Sequence, residues 1–163
     1  MIVERLTVMQ GETRVCDDPQ VMLTTVLGSC IAACLYDPER KLGGLNHFLL
    51  PEPGHDGTNP RELQRYGSYA MDYLVTAMLE RGGVRKRLRA RLFGGASLHR
   101  TFRDIGASNA AFARRFLREA DIALVGEDVG GSEARRVEFQ PTMGLCRCRS
   151  LTVPPPGNPE LFR

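Results

Sequence analysis

Two side chains in this sequence have the chemistry for nucleophilic catalysis at neutral pH. Cys30 follows Gly28-Ser29 directly, and His47 sits between Asn46 and Phe48. A free thiol, with a pKa near ~8.5, is mostly protonated at neutral pH, whereas an adjacent imidazole lowers that pKa and accepts the proton. The pair then attacks a carbonyl or carboxamide carbon and forms an acyl-enzyme. A third group is needed to hold the imidazole in one tautomer and one orientation. No Asp or Glu lies close upstream in the preceding run of residues, but Thr24 and Thr25 do. Gly28 and Ser29 predict a tight turn whose backbone N–H groups face a developing oxyanion. The other histidines are less promising. His55 lies in the loop-like Pro51-Glu52-Pro53-Gly54-His55-Asp56-Gly57, and His99 follows the glycine-rich Gly94-Gly95-Ala96-Ser97. That turn lacks the lysine and spacing of a phosphate-binding loop.

A β-hairpin is the element that brings Cys30 and His47 together. Residues 21–27 form a β-prone run stopped by Gly28-Ser29, and residues 30–36 and 41–50 flank Asp37-Pro38-Glu39-Arg40. Asp before Pro suits a type I turn. With 37–40 as the loop, Tyr36 pairs with Lys41 and Cys30 falls opposite His47, their Cβ atoms ~4.5–5.5 Å apart. A one-residue slip would send one of them to the other face.

The surrounding elements follow from periodicity and punctuation. Asn59-Pro60-x-Glu62 marks a helix start, and Leu63, Tyr66, Ala70, Tyr73, Leu74, Ala77 and Met78 recur at helical spacing until Gly82-Gly83. Residues 87–93 alternate like a strand. Ser108 or Asn109 is the expected cap of a second helix, with Phe112, Phe116 and Leu117 on its apolar side. Residues 122–125, 134–139 and 145–149 read as further strands. Strands outnumber helices without strict βαβ alternation, which predicts a single-domain α/β sandwich with a mixed or antiparallel sheet over residues 1–150. Pro154-Pro155-Pro156-Gly157 opens a flexible tail over residues 151–163.

Composition narrows the functional classes. A chain of 163 residues supports one hydrophobic core, and 42% hydrophobic with 25% charged residues is the balance of an ordinary globular domain. No basic stretch followed by an apolar run opens the sequence, and no stretch approaches the ~18 apolar residues of a membrane helix, so a cytoplasmic protein without membrane insertion is expected. Five cysteines, an odd number, argue for reduced thiols. Cys30-x-x-x-Cys34 and Cys146-x-Cys148 make poor zinc knuckles, and no metal is expected. The basic runs Arg85-Lys86-Arg87-Leu88-Arg89-Ala90-Arg91 and Arg114-Arg115-x-x-Arg118 read as solvated faces of a strand and a helix. The first contains no aromatic to stack on a base, which argues against nucleic acid; an acidic protein surface is the better partner.

The segments Thr24-Thr25-Val26-Leu27-Gly28-Ser29-Cys30-Ile31-Ala32-Ala33-Cys34-Leu35-Tyr36-Asp37-Pro38 and Gly43-Gly44-Leu45-Asn46-His47-Phe48-Leu49-Leu50-Pro51 resemble the signature of the CheD family of chemoreceptor glutamine deamidases. Arg65-Tyr66-Gly67 through Met71, Gly94-Gly95-Ala96-Ser97, and Glu127-Asp128-Val129-Gly130-Gly131 leading to Arg135-Arg136-Val137 extend the resemblance. It implies an α/β sandwich enzyme with a Cys–His–Thr triad: Cys30 as nucleophile, His47 as base and, by position, Thr24 as the third member with Thr25 its rival. It implies deamidation of receptor glutamines through a γ-glutamyl thioester, with methyl-ester hydrolysis open to the same intermediate and no cofactor required. Chemoreceptor cytoplasmic domains are the implied substrate, a CheC-type phosphatase is a possible partner, and a monomer is expected. Arg135 and Arg136 are the candidate docking residues for a glutamate-rich receptor surface. Ile105-Gly106-Ala107-Ser108-Asn109 departs from the usual family pattern, which has Arg before Asn.

Overall fold

The computed structural model describes residues 1–50, 60–97 and 104–151, with side chains of the first helix described from Tyr66 onward. His55, His99, the expected cap Asn59 and the tail beyond residue 151 lie outside the described residues. In chain order the strands are β1 (Glu4–Thr7), β2 (Thr13–Cys16), β3 (Val21–Leu27), β4 (Ile31–Asp37) and β5 (Leu42–Asn46). After α1 (Pro60–Glu80) come β6 (Arg89–Gly94), α2 (Ile105–Glu119), β7 (Ala123–Val129), β8 (Arg135–Gln140) and β9 (Leu145–Ser150).

The strands form two sheets, a four-stranded one ordered β1-β3-β8-β9 and a five-stranded one ordered β2-β5-β4-β6-β7. Both are mixed. β1 runs parallel to β3 and β6 parallel to β7, while the other pairs are antiparallel. The sheets pack face to face and the helices cover the outer face of the five-stranded sheet. This is the single-domain α/β sandwich expected from the sequence.

β4 lies at the centre and shows why the layers form. All seven of its residues are buried, because it is covered on both faces, as its nearly continuous apolar run requires. Ile31, Ala33 and Leu35 enter the core beneath the helices, with Met71, Leu74, Met78, Phe112 and Leu117. Ala32, Cys34 and Tyr36 enter the core between the sheets, with Leu23, Leu27, Leu45, Val137 and Phe139. The period-two alternation of one strand therefore sorts its side chains between two cores.

Three sequence expectations change, and two strands are added. Tyr36 pairs with Gly43 and Asp37 with Leu42, so the hairpin loop is 38–41 rather than 37–40. The shift arises because Asp37 stays in the strand and closes the loop with its carboxylate, accepting from the N–H of Glu39 at 3.0 Å and of Arg40 at 3.1 Å. Lys41 then takes the left-handed conformation, at φ 55°. On α1 the buried stripe is Gly67, Met71, Leu74, Val75 and Met78, while Tyr66 and Tyr73 face outward. The N-cap of α2 is Asp104, which accepts from Ala107 N–H at 2.9 Å. Finally, β1 and β2, each of four residues, are too short and polar to announce themselves by alternation.

Candidate active site

The Gly28–Cys30 segment is where the chain leaves one sheet for the other, between the end of β3 and the start of β4. Its carbonyls are all engaged. Ala96 N–H donates to Gly28 O at 3.0 Å, Asn109 Nδ2 to Ser29 O at 2.9 Å and Gly95 N–H to Cys30 O at 2.8 Å. Among the described residues no backbone carbonyl accepts from the N–H of Ser29 or Cys30, and the Cys30 N–H acts on its own thiol.

The glycine-rich turn after β6 thus braces the turn that carries Cys30. Gly94 takes φ 107°, and a Cβ there would lie 2.1 Å from Cys30 O, so only glycine fits this approach. Asn109 is a second brace that sequence reasoning assigned only as a possible helix cap. It is fully buried within α2, accepting from Leu50 N–H at 3.1 Å while donating to Ser29 O. It ties the chain before Cys30 to the chain after His47. The visible signal was an amide-bearing residue on the same helix face as Phe112 and Ala113.

Beyond the end of β5, Phe48 forms one more antiparallel bridge with Ile31, the first residue of β4, exchanging bonds of 2.9 Å. Cys30 therefore does not lie directly opposite His47. The two-residue register shift makes them diagonal neighbours and leaves them on the same, inter-sheet face. Diagonal pairs are separated by about 7–8 Å, within reach of long and aromatic side chains. The half-buried thiol has a hydrogen bond to Gln10 Oε1 at 3.8 Å.

His47 is buried and held from the other sheet. Its Nδ1 lies 2.9 Å from Thr25 Oγ1 and 3.2 Å from Val8 O, and Thr25 Oγ1 donates to Val8 O at 2.6 Å. A hydroxyl has one proton. With that proton given to Val8 O, Thr25 can only accept from His47, so the imidazole carries its proton on Nδ1 and presents Nε2 as the base. Thr24 points to the opposite face of β3, with Oγ1 3.4 Å from Thr7 Oγ1. Thr25, not Thr24, meets the histidine. The parity of β3 contains this signal, since Thr25 shares its face with Leu23 and Leu27, both fully buried.

Burial sets the electrostatics. It pushes the Cys30 thiol above its ordinary range, opposed by the Cys30 backbone N–H. It also holds His47 below its ordinary 6.5, opposed by the bond to Val8 and the charge of Glu12. Both directions favour the neutral thiol and the neutral imidazole over an ion pair.

Arg135 is not a docking residue. It is 9% exposed, and it donates to Gly94 O at 3.1 Å and Gly130 O at 2.6 Å beside Asp128 at 3.3 Å. It is an internal staple on the turn that supports Cys30. Arg136 is exposed on the outer face of the four-stranded sheet, next to Arg149 on β9. All five cysteines are free, with Cys34 buried and Cys146 and Cys148 half-buried against the inter-sheet core. Among the described residues no group of three or more His, Cys, Asp or Glu side chains is placed to hold a metal, and no helix is long and apolar enough to cross a membrane.

Residues 49–150 match the family described as CheD chemotactic sensory transduction, a window that opens just after His47. The chain is 58% identical over 148 residues to a protein of Zymomonas mobilis subsp. mobilis named probable chemoreceptor glutamine deamidase CheD, covering 91% of this chain and 81% of that one. A protein of the same name from Caulobacter vibrioides is 53% identical over 149 residues, covering 91% and 79%. Among solved structures, the Bacillus licheniformis hypothetical protein YfiH is similar with a TM-score of 0.47 at 15% identity, covering 74% of this chain and 49% of that one.

Proposed function

The chain belongs to the CheD family, and from that footing we propose that it hydrolyses glutamine side chains of chemoreceptors to glutamate. One observation carries the reading: the chain of hydrogen bonds from His47 through Thr25 to Val8, which fixes the tautomer of a buried imidazole diagonal to Cys30. The same bonds leave Nε2 as the nitrogen free to act as a base, on the sheet face that Cys30 shares.

In this mechanism His47 Nε2 takes the Cys30 proton as Sγ attacks the glutamine Cδ. The N–H groups of Ser29 and Cys30 receive the oxyanion, replacing water with fixed dipoles. The imidazolium, stabilised through Nδ1 by Thr25 and Val8, gives its proton to the departing nitrogen, and ammonia leaves. The γ-glutamyl thioester is then hydrolysed by water that His47 deprotonates, releasing glutamate and restoring the thiol. None of these steps requires a metal or an organic cofactor. Arg136 serves as a docking contact for a glutamate-rich receptor surface, in company with Arg149. Exposed ion pairs are each worth under about 1 kcal/mol, so such docking weakens with salt.

The test is mass spectrometry of receptor cytoplasmic fragments with ammonia measured in parallel. Each site should gain ~1 Da, because amide hydrolysis replaces nitrogen by oxygen. Cys30→Ala should abolish the conversion, while Cys34→Ala, Cys146→Ala and Cys148→Ala retain it. Receptor binding without mass change would indicate instead a docking module, and chain cleavage a peptidase.

A further inference from the structure

The side chain beside the nucleophile belongs to a glutamine. Gln10 Oε1 accepts from the Cys30 thiol at 3.8 Å. We propose that the carboxamide of Gln10 occupies the subsite for the substrate's own carboxamide, as a resident that an incoming glutamine displaces. The inference rests on the deamidase reading and adds to it the place where the primary amide binds.

Three features of the loop between β1 and β2 support this. First, Gln10 is held at the tip of a built turn. Glu12 N–H donates to Met9 O at 2.9 Å, Met9 N–H donates to the Glu12 carboxylate at 2.7 Å, and Gly11 at the third position takes φ 87°. A positive φ there is the requirement of a type II turn, which glycine meets without strain. Second, the turn is tied to the base. Gly11 N–H donates to His47 O at 2.8 Å and His47 N–H donates to Glu12 O at 3.1 Å. Because Val8 O also bonds the imidazole and Thr25, the segment 8–12 holds His47 by backbone and ring while aiming position 10 across the thiol. Third, Gln10 is exposed, and its bond to sulfur is weak. It can leave at little cost.

The resident is not itself consumed. The atom meeting sulfur is the amide oxygen, at the distance of a weak hydrogen bond, and not the carbonyl carbon that a thiolate attacks. The turn sets both. A substrate glutamine on a separate chain is free of that tether and can bring its carbon to sulfur with its oxygen among the Ser29 and Cys30 N–H groups.

The experiment compares wild type, Gln10→Ala and Gln10→Leu, the last keeping bulk without the amide. Iodoacetamide, itself a primary carboxamide, is the probe of Cys30, and the half-buried Cys16 in the same samples is the control. Both variants should alkylate at Cys30 severalfold faster with Cys16 unchanged, and should show a severalfold lower KM for receptor fragments with kcat within about twofold. Unchanged alkylation in Gln10→Ala overturns the inference, as does a Gln10→Leu protein that behaves like wild type, which would reduce Gln10 to steric cover. Conversion of Gln10 to glutamate in wild type but not in Cys30→Ala would also overturn it, since the resident would then be a reacted substrate. If no protein releases ammonia, the deamidase reading fails, and the alkylation rates still decide whether the amide of Gln10 guards the thiol.

Discussion

Thr25 and His47 meet across the two sheets at 2.9 Å, with the threonine's single proton already given to Val8 O. This leaves the threonine as acceptor only. It stands where many acyl enzymes use a carboxylate, but it brings no charge, so it orients the imidazole without making it strongly basic. That agrees with a histidine held below its ordinary pKa by burial.

Thr25→Ala should lower kcat by about 10²-fold, the low end of what a positioned acid–base group supplies. Thr25→Ser should keep most activity because the hydroxyl remains. Thr24→Ala should stay near wild type. Ammonia release from receptor fragments by the three variants decides between the threonines.

The acid limb of the pH profile should lie below 6.5. A group whose folded pKa is depressed stays neutral to lower pH, so the base is lost only as pH falls through that lowered value. The same shift means that the unfolded chain binds the proton more readily, and His47 therefore also contributes to acid destabilisation. An acid limb of kcat/KM above 6.5 would contradict this electrostatic picture.

Asp37 makes a separate prediction, far from the site. Its fully buried carboxylate accepts from Glu39, Arg40 and Val84 N–H and from Arg87 Nε at 3.0 Å. Burial works against this carboxylate, but those bonds, with Arg87 first among them, hold its pKa down to about 2 from 3.8. A depressed carboxylate contributes stability that is complete above the ordinary value and lost as pH falls from about 3.8 toward 2. Asp37→Asn should unfold at lower temperature near neutrality, by the ~1–3 kcal/mol of weakened buried bonds, and should show a flatter acid transition. Its activity per folded molecule should be unchanged.

Asn109 should behave as a positioning residue. Asn109→Ala leaves Ser29 O and Leu50 N–H without a partner, a loss of about 1–3 kcal/mol in thermal or denaturant unfolding. Asn109→Asp keeps an acceptor for Leu50 but sets a carboxylate against Ser29 O. It should therefore cost more in kcat than in KM, because the donors for the oxyanion hang on that turn.

The two adjacent arginines should separate cleanly. Arg135→Ala removes the staple on Gly94 and Gly130 and should lower stability and activity at every salt concentration. Arg136→Ala should leave stability intact and raise KM at low salt only. Equal behaviour of the two would refute the division.

Much of this was legible in the residues. The hairpin, both helices and the later strands followed from periodicity and turn chemistry, and Cys30 and His47 from their reactive types and neighbours. The register was misread because Asp37 looks like a loop residue until its carboxylate is seen capping the loop from within the strand. Between the two threonines, the parity of β3 favours Thr25 as the partner of His47, since Leu23 and Leu27 share its inner face, whereas position in the family signature favours Thr24. Arginine is usually exposed, which makes Arg135 look like a docking residue, yet its alternation with Val137 and Phe139 puts it inside. The contributions of Val8 and Gln10 had no local signature, since backbone carbonyls and a four-residue strand pair become meaningful only once distant segments pack.

The division of the site between sheets bears on when the protein becomes active during its own synthesis. Cys30, His47 and their hairpin emerge early from the ribosome, but β3, which carries Thr25, is flanked by β8 near the opposite end of the chain. Until that late hairpin docks, β3 has only the four-residue β1 beside it, and the imidazole has no firm partner to choose its tautomer. The Thr25–His47 bond thus rests on a strand whose antiparallel partner is among the last segments to be synthesised.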